Sequence, residues 1–189
     1  ILGAYVPVLI VRAYRPVPDD LTALSYDRVL APLDGSQRAE CVLSLAKGLG
    51  RSQGAKILLA HVIAEPEAPR RIAVTEKEQK LLDQLMEMNR QQAREYMENV
   101  ESRLSVNAET HVIEGNPPTA LRELIEDKGV DLVLLSAHGF SGEAAWPYGS
   151  VALNFIAYGT TPLLIVQDIS RKEIEKTEAE KAVQEQKGH

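Results

Sequence analysis

A chain of 189 residues with 44% hydrophobic and 25% charged side chains is long enough for one well-buried domain with appendages, and its composition is that of an ordinary globular protein. Its net charge of −6 excludes a nucleic acid or an anionic membrane held by bulk electrostatics, so any phosphate ligand has to be gripped locally. No apolar run approaches the roughly 20 residues that span a bilayer, and the single Cys41 excludes an internal disulfide and suits a reducing cytoplasm.

The first apolar run, "YVPVLIV" at Tyr5 to Val11, contains Pro7 and lacks a basic leader, so no signal peptide is expected. Because the chain opens at Ile1 rather than Met, it is expected to be a fragment or a processed piece. "DRVLAPLDGS" then predicts a strand ending at Pro32-Leu33-Asp34 and a turn at Gly35-Ser36. A helix follows, with apolar positions Cys41, Val42, Leu45, Ala46 and Leu49, closed by Gly50 or Gly54. "AKILLAHVI" is apolar throughout, which signals a strand buried on both faces of a parallel sheet. The spacing of Leu82, Leu85, Asn89, Ala93, Tyr96, Val100 and Leu104 predicts one long helix from Val74 to Leu104. His61, in an apolar strand, reads as a hydrogen-bonded core residue.

A third strand, "AETHVIEGN", carries His111, expected to face outward from a sheet edge. It leads to a helix that begins at Pro117 or Pro118 and stops at Gly129. "VDLVLLS" is the fourth strand, "SAHGFSGEAAWPYGS" a glycine-bearing loop, "GSVALNFIAYG" a short helix and "TPLLIVQD" the fifth strand. This alternation predicts an α/β fold: a five-stranded parallel sheet with helices on both faces, Rossmann-like. Ligands in such folds sit at the carboxyl ends of strands where connections change direction, which brings Asp34 and the glycine loop together if the first and fourth strands are neighbours.

The expected organisation is a terminal strand in residues 1–15, one domain in 22–168 and a charged, frayed tail in 169–189. "VPVLIVR" at Val6 to Arg12 echoes "TPLLIVQ" at Thr161 to Gln167, about one domain length later. Two explanations stand: chance recurrence of a short β-rich string, or the last strand of a preceding copy in a tandem protein. The second predicts that Val6 to Val11 lies antiparallel to Leu163 to Val166, in the same chain or a neighbour, as an extra edge strand.

From Tyr26 to Asp168 the chain resembles the universal stress protein family, through "VLAPLDGS", "AHVI", the glycine loop and "TPLLIV". Nucleotide-binding members of that family carry G-x2-G-x9-G-[ST]. Here the pattern is S-x2-G-x9-G-S, formed by Ser136, Gly139, Gly149 and Ser150. The resemblance implies that Pro32 and Asp34 lie by the base and ribose, that the Val62 backbone contacts adenine, and that Leu135 lines the pocket. It likewise implies that Gly139, Gly149, Ser150 and the Val151 amide take the phosphates, while Ser136 replaces the first motif glycine and His138 stands where many members of the family have a histidine, which makes both candidate site residues. If position 136 requires φ > 0, its serine costs about 1 kcal/mol relative to glycine, although its hydroxyl can donate to a ligand oxygen.

The implied cofactor is ATP or a related adenine nucleotide, with or without Mg, and the implied partner is a second copy, or a tandem unit, paired through the last strand. No nucleic acid and no membrane insertion are expected. Lacking G-x4-G-K-[ST] and any metal-ligand spacing, the sequence offers no catalytic constellation beyond slow ATP cleavage. A cytoplasmic, nucleotide-binding stress-response module and a nucleotide-free dimerisation or scaffold module both fit. The second would have the bulky "AAWPY" segment fill the pocket.

Overall fold

The computed structural model describes residues 6–12, 24–64, 75–139 and 148–167. These form strands β1 (Val8–Ile10), β2 (Arg28–Pro32), β3 (Lys56–Ile63), β4 (Ala108–Glu114), β5 (Leu132–Ser136) and β6 (Leu163–Val166). The helices are α1 (Leu43–Gln53), α2 (Glu76–Leu104), α3 (Pro117–Lys128) and α4 (Ser150–Tyr158). The sheet has six strands rather than five, in the order β1-β6-β5-β2-β3-β4. All neighbours are parallel except β1, which lies antiparallel to β6 with Val8 opposite Ile165, Leu9 opposite Leu164 and Ile10 opposite Leu163. The extra strand expected from the sequence echo is therefore present, and it is built within the same chain. The charged segment 169–189 and Trp146-Pro147 lie outside the described residues.

Two helices end at a left-handed glycine. Gly54, rather than Gly50, takes the left-handed conformation after α1 (φ 71°), and Gly129 does so after α3 (φ 60°). Thr75 begins α2 with a reciprocal cap: its hydroxyl accepts from the Glu78 amide, while the Glu78 carboxylate accepts from the Thr75 amide.

Side chains alternate across the strands and so feed two cores. On one face Leu30, Leu58, Ala60, Val133, Leu135 and Ile165 pack against α3 and α4 through Leu121, Leu124, Ala152 and Phe155. On the other, Val29, Ala31, Ile57, Leu59, Leu132 and Leu134 meet Val42 and Ala46 and the α2 residues Met97, Val100 and Leu104. β5 is buried along its whole length, as its unbroken apolar run requires. Among the described residues, no helix is long and apolar enough to cross a membrane.

Candidate functional site

The sheet order places β2 beside β5, and the chain leaves these neighbours in opposite directions, β2 toward β3 and β5 toward β6. A crevice opens at their carboxyl ends, as such a reversal demands. It forms a cavity of about 320 Å³ on the face that carries α3 and α4, within the range of about 300–1,000 Å³ usual for small-molecule sites. All ten residues expected from the sequence lie in its wall: Pro32, Asp34, Val62, Leu135, Ser136, His138, Gly139, Gly149, Ser150 and Val151.

The turn after β2 is tied down from three sides. The Leu33 amide donates to the Ala60 carbonyl at 2.8 Å, and His61 Nδ1 donates to the Leu33 carbonyl at 2.9 Å. The His61 ring is itself held edge-on by Tyr96, with centroids 6.0 Å apart. Asp34 Oδ1 accepts from the Ser36 amide at 2.9 Å and from the Ser36 hydroxyl at 2.6 Å, closing a turn in which Gly35 takes φ 86°. His61 is thus the hydrogen-bonded residue its context predicted. His111 is on the edge strand β4 as expected, yet its side chain is only 13% exposed and lies 3.1 Å from Glu109 Oε1, tucked along the edge rather than outward.

Ser136 ends β5 without a left-handed backbone, since Ser105 is the sole described non-glycine residue with positive φ. The strain considered for a serine here does not arise. Its hydroxyl donates to the His138 carbonyl and so bends the loop onto itself. Gly139 sits against the turn after β2: a Cβ there would come within 2.1 Å of Asp34 Oδ2, the end of an exposed side chain that would have to turn aside. Gly149 is different, because a Cβ would meet nothing closer than 3.6 Å and its φ is −70°. The Gly149 amide donates to the Ala137 carbonyl at 2.7 Å, so this glycine contributes space rather than a donor. Donors come next, from the first turn of α4, where the amides of Ser150, Val151 and Ala152 precede the first intrahelical bond, Leu153 to Gly149.

The cavity therefore has an apolar wall of Ala60, Val62, Leu121 and Leu135, a carboxylate at Asp34 and a helix N-terminus at Ser150. Among the described residues no Lys or Arg lines it, and the donors they offer an anion are backbone N–H groups and the positive end of the helix dipole. Pro117 and Leu121 were not anticipated as wall residues. They lie one turn apart near the start of α3, and only the packing of α3 over β3 brings them in. Tyr148 does not fill the pocket. It is 3% exposed, belongs to the α4-side core and is not part of the cavity wall; burial raises its hydroxyl pKa.

The sequence profile of the Universal stress protein family matches residues 25–167, three quarters of the chain. The chain belongs to the universal stress protein family. Its similarity to universal stress protein MJ0577 of Methanocaldococcus jannaschii is 27% identity over 161 residues, covering 77% of this chain and 97% of that one. The solved structure of MJ0577 superposes with a TM-score of 0.67 at 25% identity, over 78% of this chain and 99% of the other. A universal stress protein solved in complex with cAMP shares the fold, at TM-score 0.52, 23% identity and coverage of 77% and 100%. One from Archaeoglobus fulgidus does so at TM-score 0.54 and 17% identity, covering 88% of this chain but 51% of that longer one.

Proposed function

We propose that this universal stress protein binds ATP or a related adenine nucleotide in the β2/β5 crevice and acts in the stress response in the cytoplasm. The observation that carries this reading is convergence: the α4 amides, the bare backbone at Gly139 and Gly149, and the Asp34 carboxylate all face one cavity with an apolar wall. In the proposal the ring lies against Val62, Leu135 and Leu121, with Pro32 beside it. Asp34 takes the ribose hydroxyls, and the phosphates rest on Ser150 and Val151, flanked by Ser136, His138, Gly139 and Gly149. The family member solved with cAMP is consistent with a purine nucleotide as the ligand class. Mg, where present, would ride on the phosphates, since no group of three His, Cys, Asp or Glu among the described residues could hold a metal.

The last strand is the proposed pairing edge, with a second copy or with a preceding unit of a tandem protein. The Archaeoglobus fulgidus relative, of which this chain spans 51%, has room for such a second unit.

One observation favours the nucleotide-free scaffold instead. Asp34 Oδ2 already occupies the space in front of Gly139, adding negative charge where phosphate would approach. Thermal unfolding with ATP, AMP and cAMP separates the two readings. A nucleotide present at a hundred times its Kd adds about 2.7 kcal/mol, and Gly149→Ala, whose methyl fits the fold but intrudes on the cradle, should abolish most of that shift. Absence of any shift at millimolar nucleotide would leave the scaffold reading.

A further inference from the structure

The pairing of β1 with β6 has a symmetry that neither strand needs on its own. Aligning the two echoing segments on Pro7 and Pro162 makes Val8, Leu9 and Ile10 the counterparts of Leu163, Leu164 and Ile165. The observed register sets Leu9 opposite Leu164, Val8 opposite Ile165 and Ile10 opposite Leu163. Each residue of β1 therefore stands where its counterpart would stand if two β6 strands paired about a two-fold axis through Leu164. An antiparallel ladder can be built in many registers, and a slip of one residue would send every side chain to the wrong face. The side chains obey the same symmetry. Ile10 packs on the α4-side core with Leu163 and Ile165, while Leu9 shares the opposite face with Leu164 and remains 43% exposed.

We infer that β1 is a built-in surrogate for a second copy: it occupies the β6 edge proposed above for pairing, in the register a second β6 would take, and blocks that pairing. This deepens the pairing reading above and is independent of the nucleotide. What favours the surrogate is Arg12, which has no cationic counterpart because Gln167 stands at the equivalent place. Its guanidinium donates to the carbonyls of Phe155 at 2.7 Å and Ile156 at 3.3 Å, at the negative end of α4. Gly159 keeps that contact open: a Cβ there would lie 2.6 Å from the Phe155 carbonyl oxygen and 3.3 Å from Arg12 Nη2. Being in the same chain, β1 also competes at a high effective concentration.

Cysteine cross-linking in the full chain, on a Cys41→Ser background, tests this. Residues directly opposite in an antiparallel pair stand about 4.5–5.5 Å apart at Cα, within disulfide reach. Leu9→Cys with Leu164→Cys should give an intrachain disulfide in a monomer. Leu164→Cys alone should give little dimer. Adding Ile10→Asp and Arg12→Ala, which drive β1 off the core and remove its anchor, should raise the 164–164 cross-linked dimer at least about tenfold and double the mass seen by sedimentation. Arg12→Ala alone repeats the comparison without touching the core, should Ile10→Asp unfold the chain. The inference is overturned if the intrachain disulfide does not form, if the released variants stay monomeric at about 0.5 mM, or if their dimers do not link through position 164. Equal cross-linking of Leu164→Cys with and without the release substitutions would overturn it too.

Discussion

The two motif glycines do different work at the level of single residues. Gly139 faces Asp34, whose other oxygen accepts from the Ser36 amide and hydroxyl, so Gly139→Ala must turn the carboxylate aside at the expense of those bonds. A loss of about 1–3 kcal/mol is expected in urea unfolding. Gly149→Ala meets only ordinary contacts and should stay within about 0.5 kcal/mol of the parent. The spacing of the motif marked both glycines, yet nothing in it distinguishes crowding by a side chain from space left for a ligand. Ser136 teaches the converse: the departure from the motif is visible in the sequence, while the bond from its hydroxyl to the His138 carbonyl depends on how the loop bends. His111 supplies a pH test. Burial chiefly lowers its pKa, with Lys128 and Lys56 pushing the same way and Glu109 and Asp127 opposing. The folded state thus binds this proton less readily than the unfolded one, whose value is about 6.5. Its contribution to stability is complete above that pH and declines as pH falls below it. Between pH 7.5 and 5.5, His111→Gln should lose less melting temperature than the parent; an equal or larger loss would contradict the assignment.

Among whole elements, α2 shows what periodicity reveals and what it leaves out. Its 29 residues are helical nearly as their spacing predicted, but the buried positions, Ala93, Met97, Val100 and Leu104, all lie in its second half. Leu81, Leu85 and Met88 share one stripe in the first half and are 56%, 45% and 60% exposed. A 3.6-residue period is a property of the helix alone, whereas the length covered depends on where the sheet ends, and that is set by pairing of distant strands. Met97→Ala should therefore cost about 2–5 kcal/mol through the cavity it leaves, against less than about 0.5 kcal/mol for Leu85→Ala. Chemical denaturation of the two variants checks this, and similar losses would mean that the first half of α2 is packed. Strands were easier to read. Continuous apolar runs located β3 and β5 because burial on both faces tolerates no alternation, and β1 was visible because it repeats the composition of the strand it pairs with.

For the whole molecule, the nucleotide proposal makes a statement about where binding energy is felt. The cavity is assembled from the turn after β2, the loop after β5 and the first turns of α3 and α4, whereas the first half of α2 contributes nothing to it. Alternation of strands and helices made this crevice foreseeable, since any doubly wound sheet with this order opens at its reversal point. The contribution of α3 was not foreseeable, because it depends on packing over β3. Amide exchange separates global from local effects of a ligand held there. Amides that exchange only through complete unfolding, such as those of Leu58 and Leu134 in the central strands, should slow about 100-fold at a nucleotide concentration of a hundred times Kd. Ser150 to Ala152, whose amides are the proposed donors, should slow through their own loss of local opening. Amides of Glu76 to Met88 can exchange by fraying that leaves the cavity intact, so their rates should not change. Slowing confined to α2, or slowing that spares Ser150 to Ala152, would place the nucleotide elsewhere on the protein.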